Sequence, residues 1–146
     1  MSAHDAIRVL VDALSTPVQI ALLLAVAAGF IDVGIAIGER VLGLSRLQLA
    51  DVSTVEDLAR TRIQRSDILA RIGPMLGLMG TLIPLGPGLA ALGRGDVAVL
   101  AQAVTVAFDT TVMGLLVGIL AFSTGRLRRR WYDALITKIE ARQSHD

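Results

Sequence analysis

Asp109, Thr110 and Thr111 stand side by side in the stretch AFDTTVMG, residues 107–114, inside a long apolar run. A charge at a bilayer centre costs roughly 3 kcal/mol on insertion scales, so an acid at that depth calls for a use. An acid with hydroxyls can hold water or a cation and relay a proton. Thr81 places another hydroxyl in a second apolar run. A threonine hydroxyl both donates and accepts hydrogen bonds, so it can serve a titrating carboxylate without adding charge. The competing reading is a hydroxyl bonded to its own helix backbone. Asp109 and Thr111 are two positions apart and so point about 200° from each other on a helix, with Thr110 about 100° from each. If Thr111 faces a polar partner, Asp109 faces another span or a neighbouring subunit. There it is either a hydrogen-bonded structural acid or a relay. Asp32, toward the end of a different run, reads as structural, by snorkelling or by pairing with a cation such as Arg40.

The elements that must carry these side chains are apolar helices. The chain has 146 residues, 53% hydrophobic but only 3% aromatic, and its mean hydropathy is +0.65. The excess is Ala, Val, Leu, Ile and Gly rather than the rings common in a soluble core. Three stretches reach the roughly 20 apolar residues needed to cross a bilayer. They are about 17–38, 72–93 and 100–125, the third starting between Val97 and Ala103. The second holds Pro74, Pro84 and Pro87 and six glycines. That composition argues against a helix in water and is tolerated where neighbouring helices satisfy the freed backbone groups. The first run is longer than a cleavable signal's apolar core and is flanked by Asp5 and Asp12, so it is expected to be retained.

Of the 14 basic residues, six lie between the first two spans and six after the third; only Arg8 and Arg94 fall on the other side. The positive-inside rule then puts segments 39–71 and 126–146 in the cytoplasm and the N-terminus outside. Ser53 and Glu56 have the spacing of a capping box. Val55, Leu58, Ala59, Ile63, Leu69 and Ala70 form one apolar face of a helix running into the second span. Leu127, Trp131, Leu135 and Ile139 recur every four residues, so a helix continues out of the third span. These two extensions are expected to pack together or against neighbouring subunits; the alternative is a C-terminal helix lying on the lipid surface. The run RLRRRWY, residues 126–132, reads as a basic clamp with two amphipathic rings at the interface, not as a nucleic-acid site.

Glycines four apart occur once per span, at 34 and 38, 73 and 77, and 114 and 118. That spacing lets membrane helices approach closely, with Gly77, Gly80, Gly114 and Gly118 as the expected packing positions. No enzyme site is legible. There is no cysteine, both histidines, His4 and His145, lie in terminal tails, and the glycine-rich stretch lacks the lysine of a phosphate loop. No metal or cofactor is expected.

Read as a unit, PMLGLMGT (74–81) has the pattern P-x-x-G-L-x-G-T, and TTVMGL (110–115) has T-x-x-G-L. Both resemble consecutive spans of the MotA/TolQ/ExbB proton-channel family, and GERVLGLSR (38–46) is similar to the Glu-Arg pair with which ExbB-type chains leave their first span. The resemblance covers about three quarters of the chain, from Pro17 to Trp131, with the 74–81 block its most specific part. It implies an all-α, three-span membrane bundle, commonly a pentamer, assembled around a single-span partner of the ExbD, TolR or MotB kind that bears an essential membrane Asp. Thr81, Thr111 and Pro74 match the family's pattern. The implied activity is conduction of H⁺ or Na⁺ in an inner-membrane motor that turns ion flow into mechanical work.

The chain departs from the pattern in three ways. It is short, and is expected to be closer to ExbB or TolQ than to MotA with its large cytoplasmic domain, and compact even beside them. Pro84 and Pro87 add an expected kink to the outer half of the second span. Asp32 and Asp109 have no counterpart carried over from the family. Two rival readings are a non-conducting scaffold of a transport or secretion assembly, and a small channel that works without a partner.

Overall fold

In the computed structural model, residues 3–40 and 52–143 are described; the rest of the Glu-Arg segment, 41–46, lies outside them. The described residues are helical apart from the short connection at 93–96, with no strand among them. The helices are α1 (Ala3–Gly38), α2 (Val52–Leu92) and α3 (Val97–Gln143). All three contain a stretch long and apolar enough to cross a membrane. The chain is an all-α, multi-pass membrane protein.

The helices outrun the apolar stretches that mark them in the sequence. α2 has 41 residues and α3 has 47, so each is about 60 Å or more long, twice the thickness of a hydrocarbon core. The polar residues 52–71 and 126–143 are therefore continuations of the spanning helices. α1 likewise begins at Ala3, well before the span expected from Pro17. α2 starts at Val52, beside the expected capping box, whose side chains lie outside the described residues. It runs unbroken through Pro74, Pro84 and Pro87. Each proline leaves the carbonyl four residues upstream, at Ala70, Gly80 and Ile83, without its helical donor.

The α2–α3 connection is four residues, Gly93 to Asp96. Gly95 sits at φ +84°, a left-handed conformation that glycine adopts without strain. The Gly95 N–H donates to the Leu92 carbonyl at 2.9 Å and the Asp96 N–H to the Ala91 carbonyl at 3.0 Å, the paired bonds of a Schellman ending. Asp96 then opens α3: its Oδ1 accepts from the Val99 N–H at 3.2 Å, an N-cap that fixes the start of α3 at Val97.

The packing resolves into two units, residues 1–27 with 71–118, and residues 28–70 with 119–146. In the first unit α2 and α3 are antiparallel with their backbones in contact. A Cβ added to Gly114 would lie 2.6 Å from the Gly77 Cα and 2.7 Å from the Gly73 carbonyl oxygen. Only glycine at both positions allows that approach. Gly80 meets Thr110, and Gly88 meets Ala103, in the same antiparallel register. Gly118 is also buried. The first-span pair behaves differently: nothing lies within 4 Å of a Cβ built on Gly34 or Gly38. Small residues in that span do not by themselves mean a contact within one chain.

In the second unit Tyr132, Leu135 and Ile139 of α3 are buried against Ala59 of α2, with Ile63 and Ile136 beside them. The two extensions thus pack on one another. The buried stripe differs from the expected one. Leu127 is exposed, and the stripe runs Arg128, Tyr132, Leu135, Ile139. Steps of four advance a helix by 400°, so a strict every-four pattern drifts about 40° per step off any one face. A mixture of four- and three-residue steps holds the face.

Candidate functional site

The first candidate is the group formed by Thr81, Thr110, Thr111 and Asp109. Gly80 of α2 and Thr110 of α3 face one another, the Thr110 Cβ lying 2.8 Å from where a Gly80 Cβ would be. Thr110 is therefore a helix-packing residue. Both helices turn about 100° per residue in the same hand. Because they run antiparallel, the next residue on each swings to the same flank of the pair. Thr81 and Thr111 thus share one flank, within about 3 Å of each other along the axis. Asp109 swings to the opposite flank, beside Met79, and is exposed there.

All three hydroxyls bond to their own helices. Thr81 Oγ1 donates to the Leu78 carbonyl at 2.6 Å, and Thr111 Oγ1 to the Ala107 carbonyl at 3.0 Å. Thr110 Oγ1 reaches the Val106 and Ala107 carbonyls, both at 3.0 Å. The backbone bond and an outward role are compatible. A hydroxyl whose proton goes to a carbonyl still presents lone pairs, the polarity a cation or a hydrated proton needs. Asp109 makes no hydrogen bond or ion pair among the described residues. Among the described residues, the structural-acid reading of Asp109 finds no partner.

A second polar group was not visible as a set in the sequence. On α1 the buried positions Val18, Leu22, Ala25, Gly29, Asp32 and Ala36 alternate steps of four and three. Asp32 lies on that stripe, so its carboxylate points inward. Arg128 of α3 is 1% exposed and meets it: Nη1 donates to Asp32 Oδ1 at 2.7 Å and to Ser66 Oγ at 3.0 Å, and Nη2 to the Asp32 carbonyl at 3.2 Å. Ser66 Oγ in turn donates to Asp32 Oδ2 at 2.7 Å. Glu39 pairs with Arg62 and lies 3.4 Å from Arg128 Nε. Two carboxylates thus face two guanidinia, and residues from all three helices are tied together without net charge.

This corrects two sequence expectations. The partner of Asp32 is Arg128, not Arg40; Arg40 instead lies over the Trp131 ring, 5.4 Å from its centroid. The 126–132 run is also not a uniform interfacial clamp, since Arg128 and Tyr132 are buried while Arg126, Arg129 and Arg130 are exposed. Consecutive residues on a helix point to different sides, so seven adjacent positions cannot share one environment. The available signal was that Arg128 is four residues from Tyr132 and seven from Leu135, in phase with the apolar stripe.

Over 78 residues the chain is 38% identical to a protein described as a biopolymer transport protein ExbB homolog, from Methanothermobacter thermautotrophicus; the match covers 49% of this chain and 26% of that relative. The chain thus spans about a quarter of that curated relative's length. No solved structure matches it. Residues 38–141, which take in the paired glycines, both threonine blocks and most of the ion network, match the MotA/TolQ/ExbB proton channel family, and the chain belongs to that family.

Proposed function

We propose that this chain is the ion-conducting subunit of an energy-transducing motor in a bacterial-type inner membrane. Several copies, five by the family's common habit, surround a single-span partner of the ExbD, TolR or MotB kind. The feature that carries this reading is the shared flank of Thr81 and Thr111, two hydroxyls at one level that donate to their own helices and keep acceptor capacity. A partner carboxylate facing that flank completes an ion site: the partner supplies the titrating charge and the threonines supply neutral acceptors for H⁺ or Na⁺. Pro84 adds a further acceptor, because it frees the Gly80 carbonyl next to Thr81. The N-terminus outside and the polar extensions in the cytoplasm follow from the placement of the basic residues.

The test uses the chain co-purified with its single-span partner and reconstituted in liposomes. Thr81→Val and Thr111→Val keep shape and remove the hydroxyls. Each is expected to lower ion flux about tenfold or more, the cost of an ion site losing a polar contact, with membrane insertion intact. Full flux in both variants overturns the assignment. Flux from the isolated chain supports a partner-independent channel, and no flux with any partner supports a scaffold.

A further inference from the structure

A recess of about 420 Å³ in the second unit is lined by Asp67, Phe122, Arg126, Arg129 and Arg130. Its volume is within the roughly 300–1,000 Å³ typical of small-molecule sites. Three guanidinia stand against one carboxylate there. Asp67 is already paired with Arg129. Among the described residues no carboxylate pairs with Arg126 or Arg130. The Arg126 guanidinium is held over the Phe122 ring, 5.0 Å from its centroid. That contact positions the planar group on an aromatic face and leaves its N–H edge free.

We propose that this recess is a headgroup site for an anionic phospholipid. The position favours a lipid over a free anion. Phe122, one turn before Arg126, is 56% exposed and belongs to the apolar run that ends at Gly125. The wall of the recess is thus apolar on the side that continues into the membrane span and cationic on the other. A phosphodiester takes the guanidinium edges as charge-assisted hydrogen bonds, while its acyl chains follow the apolar side. A zwitterionic headgroup leaves the excess positive charge unmatched. The site rests on membrane embedding and not on ion conduction.

The test uses the full chain, delipidated in detergent, with binding followed by native mass spectrometry. The probes are short-chain phosphatidylglycerol, short-chain phosphatidylcholine and inorganic phosphate. Phosphatidylglycerol is expected to bind at least tenfold tighter than phosphatidylcholine, with inorganic phosphate unable to displace it. Arg126→Gln and Arg130→Gln should each weaken binding about fivefold. The two are read separately, so that one decides if the other loses helical content by circular dichroism. Phe122→Leu, which changes no charge, should also weaken it, and Lys138→Gln, outside the recess, should not. Displacement by phosphate makes the recess a free-anion site and overturns the lipid assignment. An unaffected Phe122→Leu variant, or an equal loss in Lys138→Gln, reduces the arginines to a diffuse basic field and overturns the site itself.

Discussion

Replacing Arg128 with Met tests whether the buried ion network holds the three helices together. The substitution keeps much of the side-chain volume and removes the charge. Asp32 Oδ1 loses its 2.7 Å partner, the Asp32 carbonyl loses its 3.2 Å partner, and Glu39 keeps only Arg62. Asp32 retains the Ser66 hydroxyl, which cannot neutralise it. Leaving one buried charge uncompensated costs about 3–5 kcal/mol. Arg62 is 36% exposed, so its pair with Glu39 contributes little of this. Asp32→Ala leaves the Glu39 carboxylate alone to face both Arg128 and Arg62, one positive charge in excess, and should cost a similar amount. The double variant Asp32→Ala/Arg128→Met removes both charges and leaves Glu39 paired with Arg62, so it should be more stable than either single variant. Thermal unfolding of the detergent-solubilised chain, followed through its one tryptophan, is the assay. At about 2–4 °C per kcal/mol for domains of this size, each single variant should melt on the order of 10 °C lower. Losses that simply add in the double variant would refute the coupling, and an unchanged Arg128→Met would refute the role of the network.

Three further outcomes follow from the helix contacts. Gly114→Ala pushes a methyl to 2.6 Å from the Gly77 Cα and should destabilise the chain by about 1–3 kcal/mol, whereas Gly34→Ala, with open space around it, should be neutral or slightly stabilising in the same melt. Gly95→Ala forces a side chain into φ +84° and should cost about 1 kcal/mol, with helical content unchanged by circular dichroism. Asp109→Asn should leave the melting temperature of the isolated subunit unchanged, because the carboxylate has no partner among the described residues; a changed flux in the partner-bound complex would place Asp109 in ion transfer, and an unchanged one would remove it.

Much of the fold is legible in the chain because membrane segments follow from a one-dimensional requirement. Each needs about 20 apolar residues to satisfy its backbone within the bilayer, and three such runs are simply read off. The glycine spacing at 73, 77 and 114 carries over as well, since only a missing side chain allows backbones to touch. The family blocks around Thr81 and Thr111 are equally local. The identity of a buried ion's partner is not local. Asp32 and Arg128 are 96 residues apart, and a nearby cation such as Arg40 looks an equally good mate until three helices converge. Arg128 stands among exposed arginines of the same type, and only the phase of α3, set by packing on Ala59 and Ile63, turns it inward. The same holds for the two flanks of the threonine site. Helical geometry separates Asp109 from Thr111 in the sequence itself. That Thr81 shares a flank with Thr111 depends on the antiparallel contact of Gly80 with Thr110. Composition and local spacing determined which residues are membrane-embedded; which of them meet was decided by the register between helices, fixed by backbone and side-chain contacts that no stretch of sequence contains.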